Sequence, residues 1–399
     1  VKEAINNLRR DKSGKVLSVL PNILTILGLA PVTGSALAYD EFKDVLMCAP
    51  VGTEEWRAIK DTDYTAIRLW LENTANFYPV SREMVRDSVH YLAEANKMDS
   101  AQKWLSSLEW DGVPRIEKFL PAYMGTIDAE YERAVGLYLW TALAGRVMEP
   151  GCQVDMVPIL VGTQGLGKSQ GVKAIVPHPD FYAEIRLDEK DDEIARKMRG
   201  TLIGELAELR GLRTSDQDRI KAFVTRTHEK WTPKYMEFAT TFARRLVMIG
   251  TTNEDDFLTD EENRRWLPVR TSGVDVEGIK RDRDQLWAEA LQVWLANGIQ
   301  WKVAEKLAKG EQEEYKAIDQ WDPIVEQWLR ENSTIQEIRI HDLLVQAIGL
   351  DVRQVTRVHE LRAARILRAH GFEKKVLRIG GKSTKVWRRI PVEVTDPAS

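Results

Sequence analysis

The stretch that decides the fold class of this chain is Val157-Pro158-Ile159-Leu160-Val161-Gly162-Thr163-Gln164-Gly165-Leu166-Gly167-Lys168-Ser169. Its apolar start predicts a buried strand, and the residues from Gly162 onward fit the phosphate-binding pattern GxxxxGK[ST]. A glycine-rich turn of this kind directs backbone N–H groups at a polyphosphate. Lys168 can then reach the β- and γ-phosphates, and the Ser169 hydroxyl can complete the shell of a Mg²⁺ ion. The pattern therefore predicts a nucleotide-binding turn between a strand and a helix.

The residues of this turn and of the helix that follows are the expected contacts of ATP and Mg²⁺. The expected nucleotide-binding residues are Gly162, Thr163, Gln164, Gly165, Leu166, Gly167, Lys168, Ser169 and Gln170. The alternative is an ordinary glycine-rich connection between a strand and a helix. The apolar residues before the turn and the helix-compatible residues after it favour nucleotide binding.

Composition bounds the class of protein. The 399 residues are 43% hydrophobic and 30% charged, which is enough material for two or three packed domains. No window has the run of apolar residues that a membrane helix needs, and the N-terminus lacks an export signal. We therefore expect a cytoplasmic location, without membrane contact. A first residue of Val1 rather than Met predicts a fragment of a longer polypeptide.

The sequence predicts three domains, and the nucleotide-binding turn lies in the second. Residues 1–150 predict a helical N-terminal domain. Residues 151–310 alternate apolar strands with helices, which predicts a mostly parallel sheet. The strands are expected at residues 157–161, 202–206, 246–251 and 266–269, and a long amphipathic helix at residues 279–297. A polar linker is expected at residues 310–319, before a third domain at residues 319–392.

The third domain is strongly basic. Residues 352–390 hold twelve Lys and Arg against two Glu, although the whole chain has a net charge of only −4. Three predicted helices followed by two short strands resemble a winged helix, and DNA is the expected partner. The expected DNA contacts in this domain are Arg362, Arg365 and Lys382. The alternative is a docking module for another protein, because winged helices also serve that purpose.

Acidic and polar side chains follow two predicted strands of the second domain. Glu205 and Glu208 end one apolar run, and an NTPase needs carboxylates there to hold Mg²⁺ and to polarise a water. The alternative is a surface strand with exposed Glu, and the assignment of the two roles stays open. Asn253 ends the next apolar run and can orient the lytic water. Arg264 or Arg265 can supply charge to the transition state, often across a subunit boundary.

Basic and aromatic residues interleave between these two strands. Lys230, Trp231, Lys234 and Tyr235 predict a hairpin whose cations contact phosphates and whose rings stack on the bases of a single strand. The alternative assigns the two aromatic residues to the core or to a subunit contact.

The order of these motifs resembles the virulence-associated E family of phage and plasmid P-loop ATPases, which are related to superfamily 3 helicases. The resemblance covers most of the chain. The motifs that carry it are Leu108 to Ile116, Gly162 to Ser169, Gly204 to Glu208, Lys221 to Tyr235, Thr251 to Asn253, and Asn263 to Val269.

The resemblance implies an AAA+-like α/β core that assembles into a homo-oligomeric ring, expected to be a hexamer, and hydrolyses ATP between subunits. It implies a Walker A set from Gly162 to Ser169, Walker B candidates Glu205 and Glu208, and a sensor Asn253. It also implies an arginine finger at Arg264 or Arg265. The segment from Trp231 to Tyr235 departs from the basic-Pro-Pro-Tyr pattern of the family, because its basic residue is displaced.

The leading hypothesis from the sequence is an ATP-dependent DNA helicase that acts on single-stranded or forked DNA in the replication of a phage or mobile element. An alternative is an ATP-switched origin-binding or loader protein that binds DNA without unwinding it. A third is a signalling NTPase that docks protein through its C-terminal module. The chain lacks the acidic triad of a primase, so we expect any priming activity upstream of Val1 or in a partner.

Overall fold

Most residues of the chain are placed by the structure, which is a computed structural model. The described residues are 1–207, 220–232, 238–253, 265–314, 321–379 and 382–390. The chain divides into two compact units, Val1–Lys316 and Ala317–Ser399.

The N-terminal part of the first unit contains a small sheet among its helices. Its helices are α1 Lys2–Asn6, α2 Leu20–Leu27, α3 Ala30–Thr33, α4 Asp61–Asn73, α5 Arg82–Glu94 and α6 Ser100–Ser106. Its strands are β1 Ser35–Asp40, β2 Val45–Pro50, β3 Arg57–Ala58 and β4 Lys97–Met98, in the order β3-β2-β1-β4. Strands β1 and β2 pair antiparallel, and β1 and β4 pair parallel.

The sequence predicts a helical N-terminal domain, and this small sheet was not expected within it. The sequence of β1, Ser-Ala-Leu-Ala-Tyr-Asp, has no strong strand propensity by itself. Gly34 and Asp44 adopt positive φ angles of 68° and 58° at the turns before and after β1. The turn at Asp44 brings β2 back against β1. Pairing between the strands therefore overrides local preference, and a short apolar run in the sequence does not reveal such pairing.

The helices α7 Phe119–Tyr123 and α8 Glu130–Met148 lead into the main sheet. Its strands are β5 Val157–Val161, β6 Tyr182–Glu184, β7 Ile203–Ala207, β10 Val247–Thr252 and β11 Trp266–Arg270. They are all parallel, in the order β11-β5-β10-β7-β6. The prediction of an α/β fold with a parallel sheet is confirmed.

The sheet is covered on both faces. Helices of the first unit that lie between these strands or follow them include α9 Lys168–Ile175, α10 Asp191–Met198, α11 Val276–Asn297 and α12 Lys302–Glu314. Along β5, Ile159 belongs to one apolar core and its neighbour Leu160 belongs to the other. This alternation is what a strand buried on both faces requires. A separate antiparallel hairpin is formed by β8 His228–Trp231 and β9 Thr240–Ala243.

The expected domain boundary at residue 150 does not coincide with a break between compact units. Helix α8 is buried on nearly all sides, as expected of a helix inside a large core. Its Trp140 packs edge-on against Trp287 of α11, with ring centroids 5.7 Å apart. Trp140 also contacts Phe119 of α7. The segment before residue 150 therefore shares the core of the parallel sheet. Helix α12 continues to Glu314, so the first residues of the linker expected at residues 310–319 are helical. Residues 315–320 lie outside the described residues.

The second unit has a core of its own. Its elements are α13 Trp321–Glu331, β12 Glu337–Ile338, α14 Ile340–Gln346, α15 Arg357–Ala369, β13 Phe372–Ile379 and β14 Lys382–Arg389. The strands form an antiparallel sheet in the order β12-β14-β13. Leu343, Leu367, Phe372 and Trp387 are buried between helices and sheet.

Among the described residues of the two units, no helix combines the length and apolar character needed to cross a membrane.

Candidate nucleotide site

The turn between β5 and α9 needs glycine at two positions for different reasons. A Cβ at Gly162 would lie 2.6 Å from the carbonyl oxygen of Thr271 and 2.9 Å from a methyl carbon of Leu166. Gly167 immediately precedes α9 with a φ of 82°, which side-chain-bearing residues rarely adopt. The turn thus approaches Thr271, the residue that follows β11, and opens directly onto a helix N-terminus, the arrangement that binds phosphate groups in other proteins.

Lys168 is the first residue of α9, and its side chain turns back over the loop. Its Nζ donates to the carbonyl oxygens of Gly162 at 2.6 Å and Thr163 at 2.9 Å, and to Oδ1 of Asn253 at 3.1 Å. Lys168 is only 7% exposed. Burial lowers the pKa of this ammonium from its ordinary value, and the Glu205 carboxylate acts in the opposite direction.

Glu205 lies within β7 and is fully buried. Its Oε1 accepts hydrogen bonds from Ser169 Oγ at 2.5 Å and from Thr251 Oγ1 at 2.7 Å. Its Oε2 accepts one from the Tyr182 hydroxyl at 2.5 Å. A buried carboxylate is tolerated only when its oxygens are hydrogen-bonded, and these hydroxyl groups meet that need.

The strand register explains why these side chains meet. Residue Thr252 of β10 pairs with Val161 of β5, and Thr251 pairs with Ala207 of β7. The carboxyl ends of the three central strands therefore lie at one edge of the sheet. Ligands of open parallel sheets bind at this edge. The structure brings Lys168, Ser169, Glu205 and Asn253 together there, whereas Glu208 lies outside the described residues.

The donor atoms at this edge suit a hard divalent cation. The Ser169 hydroxyl and the Glu205 carboxylate are oxygen ligands of the kind that Mg²⁺ prefers. Within the described residues, no group of three or more His, Cys, Asp or Glu side chains forms a metal site. A cation held here would therefore draw on Ser169, Glu205, water and the phosphates of a nucleotide, as is usual for Mg²⁺.

The remaining residues expected to contact nucleotide line the same loop. Thr163, Gln164 and Gly165 are exposed, and Leu166 is half-buried. Gln170 is exposed on α9. The exposed loop leaves its outer surface accessible to a ligand.

Two hydroxyl residues of the site were not among the sequence predictions. Tyr182 begins the short edge strand β6, and Thr251 lies on β10, two residues before Asn253. The three-residue strand β6 has no apolar run long enough to stand out in a sequence. Thr251 lay in a predicted strand, but only the sheet register reveals that its side chain faces Glu205.

Arg265 lies at the amino ends of the strands, whereas the glycine-rich turn lies at their carboxyl ends. It immediately precedes β11, and its carbonyl oxygen accepts a hydrogen bond from the backbone N–H of Val157, the first residue of β5. The turn begins after Val161, the last residue of that strand. Four residue steps along a parallel strand span about 13 Å. Arg264 lies outside the described residues.

The hairpin of β8 and β9 is anchored by a buried ion pair. Glu229 of β8 pairs with Arg244, which also donates to the carbonyl oxygen of Phe223 at 2.8 Å. Of the predicted DNA contacts, Lys230 is exposed and Trp231 is half-buried. Lys234 and Tyr235 lie outside the described residues. The described part of the hairpin thus offers one exposed cation and one partly covered ring.

In the second unit, Arg362 of α15 lies over the ring of Trp321 at 4.1 Å. Its guanidinium therefore has a packing role besides any contact with DNA. Arg365 lies on α15 and Lys382 begins β14. The unit also exposes basic residues on its two longer strands. They are Lys374, Lys375, Lys385, Arg388 and Arg389.

Comparison with known proteins adds a family and a fold. The model of the virulence-associated protein E-like domain matches residues 105–319. The apo structure of the NrS-1 C-terminal region, residues 305–718 of that protein, is similar with a TM-score of 0.54 at 13% identity. The similarity covers 92% of this chain and 99% of that one. The A form of the same region gives a TM-score of 0.53 at 14% identity over 92% and 99% of the two chains.

No curated protein matches the chain. The matched domain includes the glycine-rich turn, Glu205, Asn253 and Arg265, and it extends over more than half of the sequence. The chain belongs to the virulence-associated protein E-like family.

Proposed function

We propose that this protein is an ATP-dependent DNA helicase of the superfamily 3 type that acts in the replication of a phage or mobile element. One observation carries the proposal: Lys168, Ser169, Glu205 and Asn253 meet at the carboxyl edge of a parallel sheet. A nucleotide bound at this edge would have its phosphates at the N-terminus of α9, where backbone N–H groups and the helix dipole favour anions.

Lys168 has to exchange its partners for this role. Its ammonium now donates to two carbonyl oxygens of the loop and to Asn253. A phosphate oxygen is a charged acceptor and makes a stronger hydrogen bond than a neutral carbonyl oxygen does. Transfer of the ammonium to the β- and γ-phosphates would release Asn253, which would then be available to orient water.

Mg²⁺ would be held by Ser169 Oγ and the Glu205 carboxylate. The ion would supply positive charge against the phosphate oxygens during phosphoryl transfer. Glu205 is suited to this because it is buried and held by hydroxyl donors, so its orientation is already fixed.

The sheet order supports an AAA+-like core. The order β11-β5-β10-β7-β6 places β10, which leads to Asn253, between the strand of the glycine-rich turn and the strand of Glu205. The position of Arg265 supports assembly into an oligomer. Arg265 lies at the amino ends of the strands, away from the nucleotide site of its own subunit, and would contact the nucleotide of a neighbouring subunit. A ring, expected to be a hexamer, would provide that neighbour.

The element order of the second unit supports a winged helix. Three helices precede the hairpin of β13 and β14, and the short strand β12 completes the sheet. The exposed basic residues of this hairpin would contact DNA phosphates, and Lys230 would contact a single strand within the ring.

The test measures ATP hydrolysis by the wild type and Lys168→Ala with no DNA, single-stranded DNA and forked duplex, with strand displacement scored in the same tubes. We expect stimulation by single strands and ATP-dependent displacement, with both lost in Lys168→Ala. Because the ammonium stabilises the transferred charge, hydrolysis should fall at least about 100-fold. Slow hydrolysis that ignores DNA, without displacement, would favour the loader protein instead.

A further inference from the structure

The two oxygens of Glu205 have different partners. Ser169 and Thr251 both donate to Oε1, whereas Oε2 accepts its hydrogen bond from Tyr182. Ser169 belongs to the glycine-rich turn and would be drawn to a bound cation. Tyr182 lies on a different strand and has no part in that turn.

Tyr182 is held in place by its surroundings. Strand β6 pairs with β7 so that Tyr182 lies opposite Ile203 and Glu184 lies opposite Glu205. The ammonium of Lys173 on α9 lies 4.9 Å from the centre of the Tyr182 ring. The preceding residue, Phe181, packs edge-on against Phe42 with ring centroids 5.2 Å apart. The phenol therefore has a fixed position relative to the carboxylate.

We propose that Tyr182 is a positioning residue that sets the orientation of the Glu205 carboxylate for Mg²⁺, an inference that rests on the proposed function. The terminal torsion of a Glu side chain has a broad energy profile, so one fixed donor on each oxygen is needed to hold the plane. When Ser169 turns to the cation, Thr251 still holds Oε1 and Tyr182 still holds Oε2. Loss of the phenol leaves Oε2 without its partner and allows the plane to rotate.

The test is Tyr182→Phe, which removes the hydroxyl and keeps the ring. Mn²⁺ binding is measured by electron paramagnetic resonance in the presence of a non-hydrolysable ATP analogue. We expect Mn²⁺ to bind about 10-fold more weakly, because partners of metal ligands contribute this much to affinity. Binding of the same analogue in EDTA should stay within about twofold of wild type, since the ring and the glycine-rich turn are unchanged.

Tyr138→Phe is the matched control. The Tyr138 hydroxyl is buried and donates to the carbonyl oxygen of Met156 at 2.8 Å, outside the candidate nucleotide site. Its loss should lower the melting temperature without changing the affinity for Mn²⁺.

A second measurement tests whether Tyr182 acts through Glu205. In a Glu205→Gln background, Tyr182→Phe should weaken Mn²⁺ binding no further, because coupled residues are not additive. Full additivity, or unchanged Mn²⁺ affinity in Tyr182→Phe alone, would overturn the proposal. Equal losses of analogue binding with and without metal would also overturn it, as they indicate a structural role. A wild-type protein that binds no analogue would instead contradict the proposed function.

Discussion

At the residue scale, Gly162 gives a prediction that does not depend on function. A side chain there meets the carbonyl oxygen of Thr271, which is backbone and cannot easily move aside. We expect Gly162→Ala to lower the free energy of unfolding by about 1–3 kcal/mol, as overpacking commonly does. Gly310 on α12 is the control, because a Cβ there meets nothing within 4 Å. Gly310→Ala should stabilise the protein by up to about 1 kcal/mol, since alanine favours helix.

Urea unfolding of both variants gives the comparison. An unchanged free energy of unfolding in Gly162→Ala would show that Thr271 moves aside easily. That result would contradict the close approach between the turn and Thr271.

The sequence indicated some residues of the candidate nucleotide site and missed others. Lys168 and Ser169 are adjacent in a recognisable pattern, and Glu205 and Asn253 each end an apolar run. Their roles remain predictions. Tyr182 and Thr251 were not predicted as site residues, because hydroxyl residues in strands are common. Only the pairing of β6, β7 and β10 brings them to Glu205. The side-chain stacking of Arg362 on Trp321 likewise depends on tertiary packing.

At the element scale, helix α11 holds the loop around Pro114, which lies in the Leu108 to Ile116 motif, through hydrogen bonds. Both backbone N–H groups of Arg115 and Ile116 donate to Oε2 of Glu289, at 2.6 Å and 3.0 Å. Arg115 also forms an ion pair with Asp111 at 2.7 Å. This motif is therefore held as a structural turn. Burial raises the pKa of Glu289, and the two hydrogen bonds oppose that rise.

The raised pKa of Glu289 gives a prediction with a definite sign. The folded protein holds this proton more tightly than the unfolded chain, whose Glu pKa is about 4.3. The associated stability is present below the unfolded pKa and is lost as pH rises through the folded pKa. Glu289→Gln cannot ionise, so its free energy of unfolding should increase relative to wild type as pH rises from about 4 to 7. A constant difference would contradict this.

Glu277→Gln serves as its control. Glu277 is exposed on the same helix and pairs with Lys280 at 2.7 Å, a surface contact of small energetic weight. Thermal unfolding across the same pH range should show no comparable trend for this variant.

The elements themselves were partly predictable. Four strands of the parallel sheet were expected within one residue of their observed bounds, because buried parallel strands form continuous apolar runs. The edge strand β6 and the small sheet of β1 to β4 were missed. Their strands are short or weakly apolar, and pairing with distant residues stabilises them.

At the scale of the whole molecule, the positions of Lys168 and Arg265 predict complementation between subunits. Lys168 lies at the carboxyl ends of the strands, and Arg265 lies at their amino ends. If Arg265 serves the nucleotide of a neighbour, Lys168→Ala and Arg265→Ala proteins should each be inactive alone and regain ATPase activity when mixed. Mixed oligomers then contain some sites with both residues intact. Hydrolysis assays across mixing ratios measure this, and complete absence of rescue would argue against a shared site. The same assay with Arg264→Ala distinguishes the two arginines.

The domain organisation was harder to predict than the sheet. The composition of the chain changes little near residue 150, and α8 is apolar on nearly every side. A helix of that kind has no polar stripe to indicate which neighbours it contacts. Its packing against α11, across more than a hundred residues of sequence, joins the first part of the chain to the parallel sheet.

The separation of Arg265 from the glycine-rich turn also predicts how ATPase activity depends on protein concentration. A subunit whose arginine serves its neighbour is an incomplete catalyst by itself, so turnover per subunit would depend on protein concentration. Progress curves begun by diluting a concentrated stock should then decay towards a low rate as rings dissociate. Added nucleotide should slow this decay if it also contacts the neighbouring subunit, because a ligand that binds the assembled state more tightly than the free subunit stabilises the assembly by mass action.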